Sequence, residues 1–276
     1  MKITALMSVW NSSLWLPYSL RGIYPYFDTI VISECCWVPG EWSGATSPDG
    51  TAEIIKNFMS KEDPEHKVRF HQAGMVRNQP EGRNSGLYLV PEDTSYIYMV
   101  DSDEFYMPDD LCLLRKAIER PEFKNYATIA TSAKCFYYDF TYVRRERFMR
   151  GWKWFPSQHF WAVANMVDAG GKTFYPEKLG IEIFHYSYVC DSPNRLKIKA
   201  CIGEDVTREK YNNWYTNTFS KFDGTNLEKL CENNGGGIHV SEGGTLDRYY
   251  GPHPPVLEDH PLRYREWGKY NNRVDA

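Results

Sequence analysis

Residues 95–111 read SYIYMVDSDEFYMPDDL, an apolar and aromatic run that breaks at Asp101 into the polar residues Asp101, Ser102, Asp103 and Glu104. The opening six residues, rich in Tyr, Ile and Val, predict a buried strand over 95–100. Pro108 followed by Asp109 and Asp110 predicts a helix from there to about Arg120. A strand ending this way presents carboxylates at its carboxyl end. Two aspartates at i and i+2 (a DxD motif) can share one hard cation, Mg²⁺ or Mn²⁺, whose open positions suit phosphate oxygens.

Toward the amino terminus the same alternation repeats. Residues 3–9 and 29–33 (TIVIS) are short apolar runs. Between them Leu16, Leu20 and Ile23 have helical spacing, which Pro25 stops. A Pro-, Gly- and Ser-rich loop (39–50), a helix (51–59), a strand (67–71) and a helix (82–89) follow. Strands separated by helices predict parallel pairing with right-handed crossovers, hence an α/β sheet with its ligand site at the carboxyl ends of the strands. Asn11, Glu34 and Asp101 then share one edge.

Beyond the helix at 108–120 the pattern is less regular. Strands are expected at 127–136, 160–167 and 182–189, a helix at 193–199, and loops in the tail from Gly235. The expected organisation is a single domain over 1–276, with a ligand-binding part (1–115), a second part (116–234) and a loop-rich tail (235–276).

In the 276 residues, 36 acids against 32 Lys and Arg give −4, which disfavours a globally basic nucleic-acid binder. No stretch approaches a membrane span. The first residues carry no signal cleavage site, and seven cysteines without a repeating frame or a CxxC pair predict a reduced, cytoplasmic protein without zinc. Aromatics reach 16%, a supply that suits sugar or base stacking and equally a Tyr-rich core.

Five segments in order, SVWN (8–11), WLPYSL (15–20), TIVISE (29–34), GRNSGL (82–87) and VDSDEFYMPDDL (100–111), together resemble the family 2 glycosyltransferases of the GT-A fold. The VDxDEF form is similar to the branch that contains lipopolysaccharide-core sugar transferases. The resemblance implies a metal-dependent, inverting transfer of a sugar from a nucleotide-sugar donor, a UDP-sugar first, to a hydroxyl acceptor. It implies Mn²⁺ or Mg²⁺ on Asp101 and Asp103, with His185 of IFHYSYV completing the set. Trp10, Asn11 and Glu34 would border the nucleoside, Glu34 standing where the family usually has Asp. Arg83, Asn84 and Asp101 would meet the nucleotide.

In the same branch a segment like RLFRK precedes a Trp and a His-Glu pair. Arg147, Phe148, Met149, Arg150, Trp154 and His159 echo it, but Phe160 takes the Glu position, so the catalytic base is expected at His159 or Asp191. The run RRERFMRGWK (144–153) holds five bases and one acid. It reads either as a solvated face or as an acceptor surface built on Arg147, Arg150, Trp152 and Trp154. The acceptor is then a glycan or, second, a hydroxymethylated DNA base. The tail YYGPHPPVLEDHP (249–261) resembles a Gly-x-His-Pro element whose His meets the diphosphate, and reads equally as a rigid loop. The alternative function is a non-catalytic carbohydrate-binding module of transferase-like fold. A nucleotidyltransferase is disfavoured because SVWNSSLW lacks a Gly-rich loop with Lys.

Overall fold

The structure, a computed structural model, describes residues 1–37, 44–162, 165–166, 171–191, 216–217, 219–221 and 246–265. In chain order the elements are β1 (Lys2–Val9), α1 (Leu16–Ile23), β2 (Thr29–Cys36), α2 (Thr51–Lys61), β3 (Val68–Met75), α3 (Gln79–Asn84), β4 (Thr94–Met99), β5 (Glu104–Phe105) and α4 (Pro108–Ile118). There follow β6 (Tyr126–Tyr137), β7 (Tyr142–Lys153), β8 (Phe160–Ala162), β9 (Asn165–Met166), β10 (Lys172–Phe174), β11 (Ile183–Tyr188) and β12 (Asp247–Arg248).

The strand order is β3-β2-β1-β4-β7-β6-β11-β5, with β10 on β6 and β12 on β7. β1 pairs in parallel with β2 and β4, and β2 with β3. Ala5, Leu6, Met7, Ile30, Val31, Ile32 and Ile97 are fully buried, which explains their unbroken apolar runs: both faces of these strands are covered. α1 starts with Pro17 in its first turn and buries Leu16, Leu20 and Ile23. α2 follows Gly50, whose φ of 83° suits glycine, and buries Ala52, Ile55 and Phe58. α4 sets Asp109 and Asp110 in its first turn and Arg115 and Lys116 in its last, complementing the helix dipole. The expected α/β fold of GT-A type, a mainly parallel sheet flanked by helices, is what forms.

Two local expectations are corrected. The helix expected at 82–89 begins earlier, where Asn78 caps Glu81 N–H, and gives way to a 3-10 turn at Leu87–Leu89. There Gly86 sits so close to β2 that a Cβ would lie 3.1 Å from Val31 Cγ1. The strand expected at 160–167 is instead the antiparallel pair β8 and β9. The helix expected at 193–199 lies outside the described residues.

Packing divides the chain into two compact units: Met1–Ala133 with Glu146–His185 and His253–Val256, and Lys134–Arg145 with Tyr186–Pro252 and Leu257–Ala276. Within the second, the Phe136 and Tyr186 rings stack at 4.7 Å, as do Tyr137 and Tyr188, while Phe140 packs on Tyr186. Much of the aromatic excess is thus core. No helix among the described residues is long and apolar enough to cross a membrane.

Candidate active site

Every side chain described in this site belongs to the first unit. β4 ends at Met99, and the N–H of Val100 just beyond it donates to Leu6 O at 3.0 Å. The chain then turns: Glu104 N–H donates to Asp101 O at 3.0 Å, and Asp101 N–H to Glu104 Oε2 at 3.2 Å. The turn delivers Glu104 and Phe105 into β5, where they pair antiparallel with His185 and Phe184 of β11. This pairing carries His185 Nε2 to 3.3 Å from Asp103 Oδ1.

Two arginines enter the acidic turn from other elements. Arg150 of β7 is 3% exposed, and its Nε donates to Glu104 Oε1 and Oε2 at 3.0 and 3.1 Å. Its Nη2 donates to Glu104 again and to Asp101 Oδ2 at 3.2 Å. Burial opposes the charge on Arg150, but Glu104 and Asp101 outweigh it and hold the guanidinium above its ordinary value. Phe148 lies between, with the Arg150 guanidinium 4.6 Å over its ring and the His185 ring edge-on at 5.5 Å. Arg83 of α3 brings Nη2 to 3.8 Å from Asp101 Oδ1 and rests over the Phe160 ring. Burial pulls Arg83 down to about 10, against the field of Asp101. Its Nε and Nη1 have no hydrogen-bond partner among the described residues.

The rim is knit by short polar links. Asn11, at the end of β1 with φ 48°, donates its N–H to Ser47 Oγ. Ser12 N–H reaches Thr51 Oγ1, Ser13 N–H reaches Asp49, and Ser102 Oγ meets Ser12 Oγ at 3.1 Å. Trp10 is buried, its ring close to Gly44.

The structure thus gathers Asp101, Asp103, His185, Arg83 and Arg150 into one cluster and spends several other candidates elsewhere. Glu34 is fully buried, accepting Ser47 N–H at 2.9 Å and Gln72 Nε2 at 2.7 Å, so both its oxygens hold the wall of the site. Asn84 donates to Phe160 O at 2.8 Å and accepts Phe160 N–H at 2.7 Å, a latch on β8. Trp152 and Trp154 are buried with Leu6, Val31, Ile97 and Phe160, which corrects the expectation of stacking platforms: a side chain in a closed core offers no face to a sugar. Arg147 is exposed and pairs with Glu177 at 2.6 Å. His159 is exposed beside Phe160. Asp191 lies in the second unit, exposed, its carbonyl accepting from Arg265 Nη1. Of the tail histidines, His253 packs against Phe184 in the first unit, while His260 is buried in the second. Sequence reasoning overlooked the role of Glu104 and treated Arg150 as a surface base.

The family model for glycosyl transferase family 2 matches residues 45–183, just over half of the chain. The chain belongs to glycosyl transferase family 2. The stretch matched to this transferase family contains Arg83, Asp101, Asp103, Glu104 and Arg150, and stops two residues short of His185. No curated protein sequence matches the chain. Among solved structures, S. aureus TarS 1-349 superposes with a TM-score of 0.42 at 12% identity over 84% of this chain and 77% of that one. A second S. aureus TarS structure gives 0.36 at 14% identity over 51% of this chain and 25% of that one, so this chain spans about a quarter of it. The 4-diphosphocytidyl-2C-methyl-D-erythritol synthase from Anaerococcus prevotii DSM 20548 gives 0.37 at 15% identity over 55% and 70%.

The donor set fits a hard divalent cation. Asp101, Glu104 and His185 each offer a ligand atom, all within 4.8 Å of one another. Neighbouring ligands on an octahedral ion with bonds of about 2.1 Å stand about 3.0 Å apart. The 3.3 Å between Asp103 Oδ1 and His185 Nε2 is close to that edge.

Proposed function

We propose that the chain transfers a sugar from a nucleotide-sugar donor, a UDP-sugar first, to a hydroxyl of a glycan. The observation that carries this reading is the convergence of Asp101, Asp103 and His185 with buried Arg83 at the end of β4. Asp101, Asp103 and His185 are the residues that would hold Mn²⁺ or Mg²⁺. Such an ion, when bound, neutralises charge that develops on a diphosphate leaving group. Arg83 supplies a fixed, desolvated cation whose Nε and Nη1 lack hydrogen-bond partners among the described residues and so are available to an anion. Asn11 and Trp10 are proposed along the nucleoside, with Glu34 acting by fixing the 47–51 wall.

A glycan is favoured over modified DNA because the residues expected to build the acceptor surface are already engaged or enclosed. Arg150 is buried on Glu104, Arg147 is paired with Glu177, and the two tryptophans are core. Acceptor affinity is therefore expected to change little with salt, whereas duplex DNA on n phosphate contacts weakens with a slope near −0.9n.

For the proton of the acceptor hydroxyl we propose His159 or Asp191, in an inverting displacement. The base is the one whose removal (His159→Ala or Asp191→Asn) lowers kcat about 100-fold or more while donor affinity stays. The reading as a whole is tested by screening nucleotide sugars for Mn²⁺-dependent thermal protection and donor hydrolysis. Protection without any turnover leaves the non-catalytic binding module; neither effect with any nucleotide sugar overturns the reading.

A further inference from the structure

Asp101, Glu104 and His185 form the geometric candidate for a metal site, yet Glu104 is the most deeply enclosed of the three, with 0% of its side chain exposed. Both of its oxygens accept from Arg150, and Oε2 also accepts from Asp101 N–H. Arg150, in turn, reaches past Glu104 to Asp101 Oδ2. Among the described residues three carboxylates (Asp101, Asp103, Glu104) face two guanidiniums (Arg83, Arg150), so with His185 neutral these groups together carry −1. Such a charge attracts a divalent cation and, once that cation is present, no longer repels a diphosphate. Without Arg150 the cluster would carry −2 and repel the nucleotide; without Glu104 it would be neutral and hold a cation poorly.

We propose that Arg150 and Glu104 form a buried charge-setting pair: Glu104 is spent on Arg150 rather than on a metal, and Arg150, acting through Asp101, is a positioning residue that balances cation against diphosphate affinity. The inference rests on the nucleotide-sugar reading and deepens it.

The test measures two affinities separately by calorimetry on the full chain, Mn²⁺ alone and UDP alone in chelator, so that neither depends on turnover. Arg150→Gln is expected to bind Mn²⁺ about tenfold more tightly and UDP about tenfold more weakly, the order of one partly screened unit charge. Glu104→Gln is expected to show the mirror image. The double variant Glu104→Gln/Arg150→Gln returns the charge to −1 and both affinities to within about threefold of the native chain. Removing one partner of a buried pair is destabilising, so if Arg150→Gln does not fold, Glu104→Gln and the double variant carry the test. Affinities that fall together in the folded variants, or a double variant that stays poor in Mn²⁺, overturn the proposal and make the pair a structural brace or Glu104 a metal ligand. A native chain that binds neither Mn²⁺ nor UDP overturns the reading of a metal-assisted UDP-sugar site, and the proposal with it.

Discussion

Asp103 Oδ1 stands 3.3 Å from His185 Nε2, although one residue lies in the turn before β5 and the other in β11. The contact exists because β5 and β11 pair antiparallel, with His185 opposite Glu104. The carboxylate and the imidazole meet where the turn enters β5, with 8% and 11% of their side chains exposed.

Asp103→Asn keeps the shape of that pair and removes the charge. Mn²⁺ binding and transfer are expected to be lost, while the melting temperature shifts by no more than a few degrees, since the isosteric amide keeps the packing volume and can still hydrogen-bond His185. Calorimetric Mn²⁺ titration beside a thermal melt checks both halves. Full transfer by this variant, or by the native chain in excess chelator, would remove the metal from the mechanism.

Arg83 holds its charge at 3% exposure with the N–H groups of two nitrogens, Nε and Nη1, unsatisfied among the described residues, a cost that its pairing with Asp101 offsets only in part and that an anion would remove. Arg83→Ala is expected to weaken UDP binding roughly 10- to 100-fold, as for a hydrogen bond to a charged group. Because the variant removes a buried cation whose Nε and Nη1 lack partners but also its ion pair with Asp101, stability should change by no more than about 1–2 kcal/mol. A larger fall in stability with unchanged UDP affinity would make Arg83 a packing residue.

The sheet and the acidic turn were legible because their causes are local. Strands β1, β2 and β4 are covered on both faces and so read as unbroken apolar runs. β7 was not legible as a strand, since RRERFMRGWK looks like a solvated stretch until Glu104, 46 positions away, meets Arg150. The structural partners of Glu34 and Asn84 were hidden for another reason. A carboxylate or amide at a strand or helix end looks the same in sequence whether it awaits a ligand or already holds Ser47, Gln72 or Phe160.

Asp28 gives a pH signature away from the site. It is half-buried, which alone would raise its pKa. Arg115 Nη1 and Nη2 at 2.8 and 2.9 Å, together with Ile3 N–H, outweigh that and hold it below the ordinary carboxylate value. A depressed folded pKa contributes stability that is present above the unfolded value of about 3.9 and is lost as pH falls through the folded value. Asp28→Asn should lower stability near neutrality and flatten the loss between about pH 5 and pH 2. Urea midpoints across that range check it; parallel curves for the two chains would contradict the pairing.

Gly151 is where the hidden strand meets its neighbour most tightly. A Cβ there would fall 2.6 Å from Ile129 Cδ1 and 2.9 Å from Ile129 Cβ, on the adjacent strand β6. The clash reaches a branch point, so rotating the end of the Ile side chain cannot relieve it and the strands must separate. Gly151→Ala is therefore expected to destabilise by about 1–3 kcal/mol, the usual cost of overpacking. Because Arg150 precedes Gly151, the shift should also loosen the hold on Asp101. Gly151→Ala/Ile129→Ala removes the obstructing branch and should recover UDP affinity more fully than stability, since the smaller side chain leaves its own cavity. Chemical denaturation and UDP titration of both variants separate the two effects. A single variant as stable as the native chain would show that β6 and β7 are not held at this distance.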